Sequence, residues 1–271
     1  MLLATPSCQP SCHTLCHSMP DSGREVAQTA VLFEFPSNAA KLTAMEMEIV
    51  VPDEVPVMTL PNLAFFPQSL LPLHIFELRY RHMLRDVLAS NRLFAVAGLD
   101  VHKLGTTQDF EPPCRVASVG IVRACQKNEN GTSNLLLQGL CRVEAVSIIS
   151  EEPYRRMQIR TLASAPGGTP ADNLKLRAEL IRLIGLKRKY GGVVPEEMTE
   201  FLRSVEDPET FVDLAAFSLC EDGAVKQKLL ETLDVHKRLE LFGTHLRAEI
   251  DAIRLRTKLQ GNLPDDQISH N

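Results

Sequence analysis

The fold is decided by residues 57–90, which read VMTLPNLAFFPQSLLPLHIFELRYRHMLRDVLAS. Two short apolar runs, 57–60 and 70–74, lie on either side of a proline-bounded loop at 62–67, and such runs are typical of strands. Residues 77–90 then place apolar side chains at the i, i+3, i+4 spacing of a single buried helical face. This stretch therefore predicts two strands followed by a helix.

Further strands follow from this stretch towards the middle of the chain. The pair Asn130-Gly131 lies between two apolar runs and favours a hairpin, because both residues tolerate positive φ. Further strand-like runs lie at 93–97, 116–126, 134–138, 143–149 and 154–162, and the expected sheet has six or so strands. Short strands joined mostly by tight turns, with one embedded helix, predict an antiparallel barrel or closed sheet.

The pattern changes to helices after residues 163–170, ASAPGGTP, which interrupt both periodicities and mark a boundary. Asp207 is the expected N-cap of one helix and Asp234 the expected cap of a long final helix. The predicted helices are 174–189, 208–219, 225–233 and 235 to about 259. We therefore expect an α+β chain, with a β-barrel at 45–165, a helical bundle at 166–260 and a tail at 261–271.

Residues 1–44 predict a poorly structured leader, and Met45 and Met47 leave open that translation starts there instead. The leader holds a dense group of soft ligand types with the spacing C-x3-C-H-x2-C-H, at Cys8, Cys12, His13, Cys16 and His17. That spacing matches neither zinc ribbons nor haem attachment. We expect a flexible tail and no metal site.

The net charge of −5 is concentrated near the N-terminus. Residues 1–56 contain two basic and seven acidic side chains, which leaves 27 of each sign in the remaining chain. Nucleic-acid binders usually carry a basic surplus on the folded part, so this class is disfavoured. No apolar run of roughly 18 residues and no secretory signal pattern is present. The expected location is therefore the cytoplasm, with no membrane association.

Motifs of the common catalytic classes are missing from the sequence. The chain contains no Gly-Lys dipeptide and hence no phosphate-binding P-loop, and it lacks G-x-S-x-G, H-E-x-x-H and G-x-G-x-x-G. No nucleophile and base can be paired from the sequence. These absences predict a protein that is not an enzyme and that uses no cofactor.

Several blocks in fixed order resemble those of one known family. They are Leu60-Pro61-Asn62-Leu63, Phe66-Pro67, residues 71–80 (LPLHIFELRY), Arg92-Leu93-Phe94, Val119-Gly120, residues 136–143 (LLQGLCRV), Glu152-Pro153-Tyr154, Asp207-Pro208, residues 230–235 (LETLDV) and Arg238-Leu239-Glu240. This order is similar to that of the substrate-binding N-terminal domain of Lon proteases, here without the ATPase and peptidase modules. The resemblance runs from about Val57 to about Ile253.

The resemblance implies a PUA-like β-barrel followed by a helical bundle. It also implies a non-catalytic module that holds unfolded or tagged polypeptides in protein quality control, as adaptor, holdase or regulator. The implied partner is a separate ATP-dependent protease or a second copy of the chain. An RNA-binding role for a PUA-like barrel is the main alternative.

Two sets of residues are candidate binding sites. Phe65, Phe66, Leu70 and Leu71 either pack in the core or form an exposed apolar patch that grips unfolded chains. In the last helix, an apolar seam of roughly heptad spacing ends at Ile250 and Ile253 with Arg247 and Arg254 beside it. Either the bundle covers this seam, or its end docks on an acidic surface of a partner.

The missing P-loop generates the first prediction. The purified protein should neither bind nor hydrolyse ATP, because it has no loop to hold the phosphates. Thermal unfolding should be the same with and without ATP and magnesium. A stoichiometric rise in melting temperature would contradict the prediction.

Overall fold

Strands occupy the first half of the described chain and helices the second. The structure is a computed structural model and describes residues 49–105 and 111–260, which belong to one compact unit. The predicted leader, its cysteine–histidine group and the tail lie outside these residues. The elements are β1 Glu54–Leu60, β2 Leu70–Ile75, α1 Leu78–Leu88, β3 Leu93–Gly98, β4 Val116–Lys127, β5 Ser133–Ser150, β6 Arg156–Leu162, α2 Pro170–Lys189, α3 Glu196–Ser204, α4 Pro208–Leu219, α5 Gly223–Glu231 and α6 Val235–Gln260.

The six strands form one mixed sheet in the order β2-β5-β4-β3-β1-β6, and β5 also pairs with β6. The predicted α+β class is therefore confirmed, but the sheet is not a simple antiparallel barrel. β1 and β3 are parallel, because the chain crosses from one to the other through β2 and α1. β2 pairs with β5 and lies outside the ring that the β5–β6 pairing closes.

The predicted strands 134–138 and 143–149 are one strand, β5, of 18 residues. Gly139 lies inside this strand and does not end it. Its missing side chain lets the backbone at Phe66 come close to β5. A Cβ built there would lie 2.1 Å from the carbonyl oxygen of Phe66. Gly120, on the neighbouring strand β4, is equally constrained, since a Cβ there would lie 2.9 Å from the Phe65 ring.

These two glycines allow the loop after β1 to insert its phenylalanines into the core. Phe65 packs with the strands and α1, whereas Phe66 packs with residues of the later helices. The hydroxyl of Ser118 donates to the Phe65 carbonyl, and that of Ser69 donates to the Phe66 carbonyl, each at 2.5 Å. The loop is thus a core element rather than an exposed patch.

A buried ionic network connects β5 to the helices. Arg142 of β5 donates to both carboxylate oxygens of Asp213 in α4, at 2.8 and 2.7 Å, and Arg238 of α6 donates to the same carboxylate at 2.8 Å. The Nε atoms of Arg142 and Arg238 donate to the carbonyl oxygens of Leu230 and Thr232 at the end of α5. The half-exposed Glu209 lies 3.6 Å from Arg142 and 3.4 Å from Arg238. Burial lowers the pKa of Arg238, and the charge of Asp213 opposes that shift.

α4 begins where the sequence predicts a cap, whereas α2 begins at Pro170, four residues before its predicted start. Asp207 accepts a hydrogen bond from the backbone N–H of Thr210 at 2.8 Å, which confirms it as the N-cap of α4. Thr169 caps α2 in the same way by accepting from Asp172. α2 and α6 then pack along most of their length, so the helical core lies between them and α4.

The network generates a stability prediction. Asp213→Ala leaves Arg142 and Arg238 buried without their shared carboxylate, so it should lower the free energy of unfolding by about 3–5 kcal/mol. Denaturant unfolding followed by circular dichroism measures this.

Glu179→Ala is the matched control, because Glu179 pairs with Arg247 on the half-exposed surface. That change should cost about 1 kcal/mol or less. A similar small cost for Asp213→Ala would show that the buried network does not stabilise the fold.

Candidate polypeptide-binding surface

The face of β2 that points away from the core follows the predicted apolar loop and carries exposed side chains. β2 pairs antiparallel with β5, so Leu70, Pro72 and His74 face the same side as their partners Gln138, Leu136 and Asn134. Leu71 and Ile75 point to the core and are buried. Period-two alternation thus leaves Leu70 42% exposed.

The free edge of β2 is blunted by a proline. Within the described residues β2 pairs with β5 alone, and the N–H of Gly139 donates to the carbonyl of Ser69 at 2.9 Å. Since hydrogen-bonding positions alternate along an antiparallel strand, Leu70, Pro72 and His74 turn their backbone groups away from β5. Pro72 has no N–H, so the exposed edge lacks one donor that an added strand would need.

Two large apolar side chains continue this face beyond the end of β2. Phe76 is 62% exposed and Leu78 is 65% exposed. The Phe76 ring stacks on His74 with 6.1 Å between ring centroids, and His74 Nδ1 lies 2.6 Å from the side-chain oxygen of Asn134. Below, the β2 surface means Leu70, Pro72, His74, Phe76 and Leu78.

The start of α1, which carries Leu78, is fixed by ionic contacts. Arg79 donates to both oxygens of Glu111 at 2.8 Å and to Glu77 at 3.0 Å. The hydrogen bond to Glu111 is the main cause that raises the pKa of Arg79. Burial raises the pKa of the neighbouring Tyr80 to about 12, so its hydroxyl stays protonated. Arg79 thus connects the residues on either side of Leu78 to Glu111.

The structure separates the four residues that the sequence analysis grouped in this loop. Phe65 and Phe66 are buried, because Gly120 and Gly139 leave room for the loop to enter the core. Leu71 is buried because it alternates with Leu70 along β2, and Leu70 alone of the four lies on the surface. Phe76 and Leu78 were not predicted as surface residues. Phe76 continues the alternation of Leu70 along β2, and this signal could have identified it.

The second predicted site, at the end of α6, is partly covered. The seam residues Val235, Leu239, Phe242, Leu246 and Ile250 are all buried, and Ile253 is half-buried. Arg247 pairs with Glu179 at 2.7 Å, and Arg254 pairs with Asp251 and lies over the Tyr190 ring at 5.4 Å. The bundle therefore covers the seam as far as Ile250.

α6 continues for ten residues past Ile250, and this final part carries exposed apolar side chains. Leu255 is 58% exposed and Leu259 is 79% exposed. Val193, in the turn between α2 and α3, is 84% exposed, and Tyr190 beside it is in contact with Arg254. The exposed end of α6 therefore combines leucines with the basic residues Arg254, Arg256 and Lys258.

One contact in the described residues brings a thiol near an imidazole. Cys220 Sγ lies 3.5 Å from His245 Nε2, and the same nitrogen lies 3.4 Å from Glu249. A catalytic relay uses both ring nitrogens, one for the nucleophile and one for the carboxylate. Burial also raises the pKa of the Cys220 thiol, which favours the unreactive protonated form. This arrangement does not activate a nucleophile.

Two other kinds of site are absent from the described part of the chain. No group of three or more histidine, cysteine, aspartate or glutamate side chains there could hold a metal ion. None of the helices in residues 49–105 and 111–260 has the length and apolar character that a membrane span requires.

Comparison with known proteins identifies relatives of one kind. The Lon protease of Dictyoglomus thermophilum is 24% identical over 221 residues, which cover 80% of this chain and 27% of that protein. The Lon protease of Desulfosudis oleivorans is also 24% identical, over 80% of this chain and 26% of its own length. The chain thus spans about a quarter of the length of these curated relatives.

Solved structures agree with this at the level of the fold. The N-terminal domain of a Mycobacterium avium complex Lon protease matches with a TM-score of 0.53 and 18% identity, over 74% of this chain and 98% of that one. A Lon N-terminal domain protein from Xanthomonas campestris matches with a TM-score of 0.50 and 17% identity, over 70% and 96%. The family model of the ATP-dependent protease La (LON) substrate-binding domain matches residues 54–248, well over half of the chain. The chain therefore belongs to the Lon substrate-binding domain family.

Proposed function

We propose that this protein is a recognition module that binds unfolded or tagged polypeptides through the β2 surface and performs no chemistry on them. The observation that carries the proposal is the exposure of Leu70, Phe76 and Leu78 on β2 and the residues that directly follow it. Contiguous apolar side chains on a soluble protein usually mark an interaction site. The family supports polypeptide as the ligand.

Recognition at this surface would depend on side chains rather than on an added strand. Pro72 removes one donor from the exposed edge of β2, so a polypeptide cannot complete a regular ladder there. Contact with Phe76 and Leu78 needs only an apolar side chain in the ligand, in any sequence context. Such tolerance suits a module that accepts many unfolded clients.

The cellular role that fits this proposal is that of an adaptor, holdase or regulator in protein quality control. The strands would form the PUA-like barrel that the resemblance implies. The RNA-binding alternative is not favoured by this surface. Arg79, which follows Leu78, is occupied by Glu77 and Glu111, and Arg123 donates to Gln138. Phosphate binding depends on several accessible cations.

The β2 surface generates a binding prediction. Phe76→Ser with Leu78→Ser should weaken the capture of an unfolded protein by at least about tenfold, because a tenfold change corresponds to about 1.4 kcal/mol, less than the burial of one such side chain. Fluorescence anisotropy with labelled, reduced and alkylated α-lactalbumin measures the affinity.

The matched control is Leu174→Ser with Phe201→Ser, two residues of the helices with similar exposure, 50% and 48%. The control should bind as the unaltered protein does, and both variants should keep the same melting temperature. Equal binding by the β2 variant and the unaltered protein would remove this surface from the client site.

We also propose that the exposed end of α6 docks on a partner, either a separate ATP-dependent protease or a second copy. The helix projects Leu255 and Leu259 away from the bundle, with the cations Arg254, Arg256 and Lys258 between and beside them. An apolar contact with a basic rim fits an acidic surface on the other protein. Ile250 takes no part in this contact, because the bundle already covers it.

The docking proposal generates its own prediction. Leu255→Asp with Leu259→Asp should abolish the association while the helical content is kept, because both side chains are exposed. Sedimentation velocity detects a second copy, and quantitative affinity purification from native cytosol detects a protease. Leu174→Asp is the control. A variant that keeps all its partners would refute docking through this end.

A further inference from the structure

The C-terminal part of β5 carries two bulges close together. Its register with β6 passes from Ala145 directly to Ser147 and from Ile148 directly to Ser150. Val146 and Ile149 are therefore the extra residues of the two bulges. Val146 is 56% exposed, Ile149 is 49% exposed and Ile148 is 40% exposed. Bulges re-aim side chains, and here they direct β-branched apolar residues to the surface.

A groove runs beside this part of β5. β4 pairs with β5 as far as Glu144, and the N–H of Ala145 still donates to the carbonyl of Arg115 at 2.8 Å. Beyond that point, within the described residues, β5 pairs with β6 alone. The groove has a volume of about 400 Å³, and it is lined by Pro112 and Pro113 opposite Val146 and Ile148, with Met157 among its lining residues.

The proline wall of the groove is held in place from both ends. The N–H of Asp100 donates to the Pro112 carbonyl at 2.8 Å, and Leu99 forms a bridge with Pro113. The N–H of Cys114 donates to the Gly98 carbonyl at 2.7 Å. The groove is therefore preformed, and a ligand would not have to order its walls.

Two cations, Lys103 and Arg115, line the groove. Lys103 pairs with Asp100 at 3.1 Å, so the excess positive charge lies at Arg115. Arg115 and Arg160 share the single carboxylate of Glu144, so that cluster has one positive charge in excess. The Arg115 side chain remains 74% exposed. A carboxylate in the ligand would complement this surplus.

We propose that this groove binds an extended polypeptide segment in which a bulky apolar side chain is adjacent to a carboxylate. The inference rests on the proposed function and adds to it a second subsite with its own preference. The apolar side chain packs between the prolines and Val146, and the carboxylate pairs with Arg115. The two bulges interrupt the ladder, so the segment is held by its side chains rather than as a regular strand.

The test uses the full chain and labelled six-residue peptides of serine and glycine that contain Leu-Glu, Leu-Lys or Ser-Glu at the centre. Fluorescence anisotropy should show the Leu-Glu peptide binding at least fivefold more tightly than either of the others. Val146→Ser with Ile148→Ser, two exposed residues of the groove lining, should weaken Leu-Glu binding about tenfold. Arg115→Gln should abolish the preference for Leu-Glu over Leu-Lys, while Glu144 keeps Arg160 as its partner.

Leu174→Ser with Val193→Ser is the matched control, since both residues are exposed on the helices, and it should bind all peptides normally. If Val146→Ser with Ile148→Ser unfolds, Val146→Thr should still weaken Leu-Glu binding. Unchanged binding in the groove variants, or equal binding of the three peptides, would overturn the inference. So would a dimer that these variants dissociate, because the groove would then belong to a second copy.

The outcome is separable from that of the proposed function. The groove alone would be rejected if its variants bind every peptide normally while the β2-surface variant no longer binds unfolded α-lactalbumin. Both proposals would be rejected if neither set of variants shows weaker binding.

Discussion

The carboxylate of Asp213 is the point on which the packing of strands against helices depends. Two arginines from different parts of the chain, Arg142 and Arg238, reach the same side chain in a region closed to solvent. Buried charges must be paired in good geometry. The shared carboxylate therefore restricts how β5, α4 and α6 can pack against one another. Arg142 also lies over the Phe66 ring at 5.8 Å, which ties the loop after β1 to the same point.

The sequence was most informative where structure depends on neighbours along the chain. The cap at Asp207, the amphipathic face of α1 and the turn at Asn130-Gly131 are local, and each is present. The burial of Phe65 and Phe66 could not be predicted locally, because it depends on glycines more than 50 residues away. The parallel β1–β3 pairing and the merger of two predicted strands into β5 likewise depend on which distant strand lies alongside.

The two proposed binding surfaces also differ in how far the sequence alone could predict them. Leu70 and Phe76 share a face because strand alternation is a local rule, and the sequence alone could have placed both outside. The groove beside β5 has no such signal. Val146 and Ile149 become bulge residues only through their register with β6. The prolines that line the groove together with Val146 come from a different loop. Apolar composition alone cannot distinguish such residues from core.

The length of β5 sets a distance between two parts of the surface. Its first residues support the β2 surface and its bulges border the groove, and from Leu136 to Val146 an extended strand covers roughly 30 Å. An unfolded chain of about ten residues or more is long enough to occupy both places at once, whereas a short peptide must choose one. If both proposed surfaces bind, occupation of the first would raise the effective concentration at the second, and the avidity for a ligand would grow with its length. The length of β5 would then make the protein bind unfolded proteins in preference to short peptide fragments, because only a long extended chain reaches both surfaces.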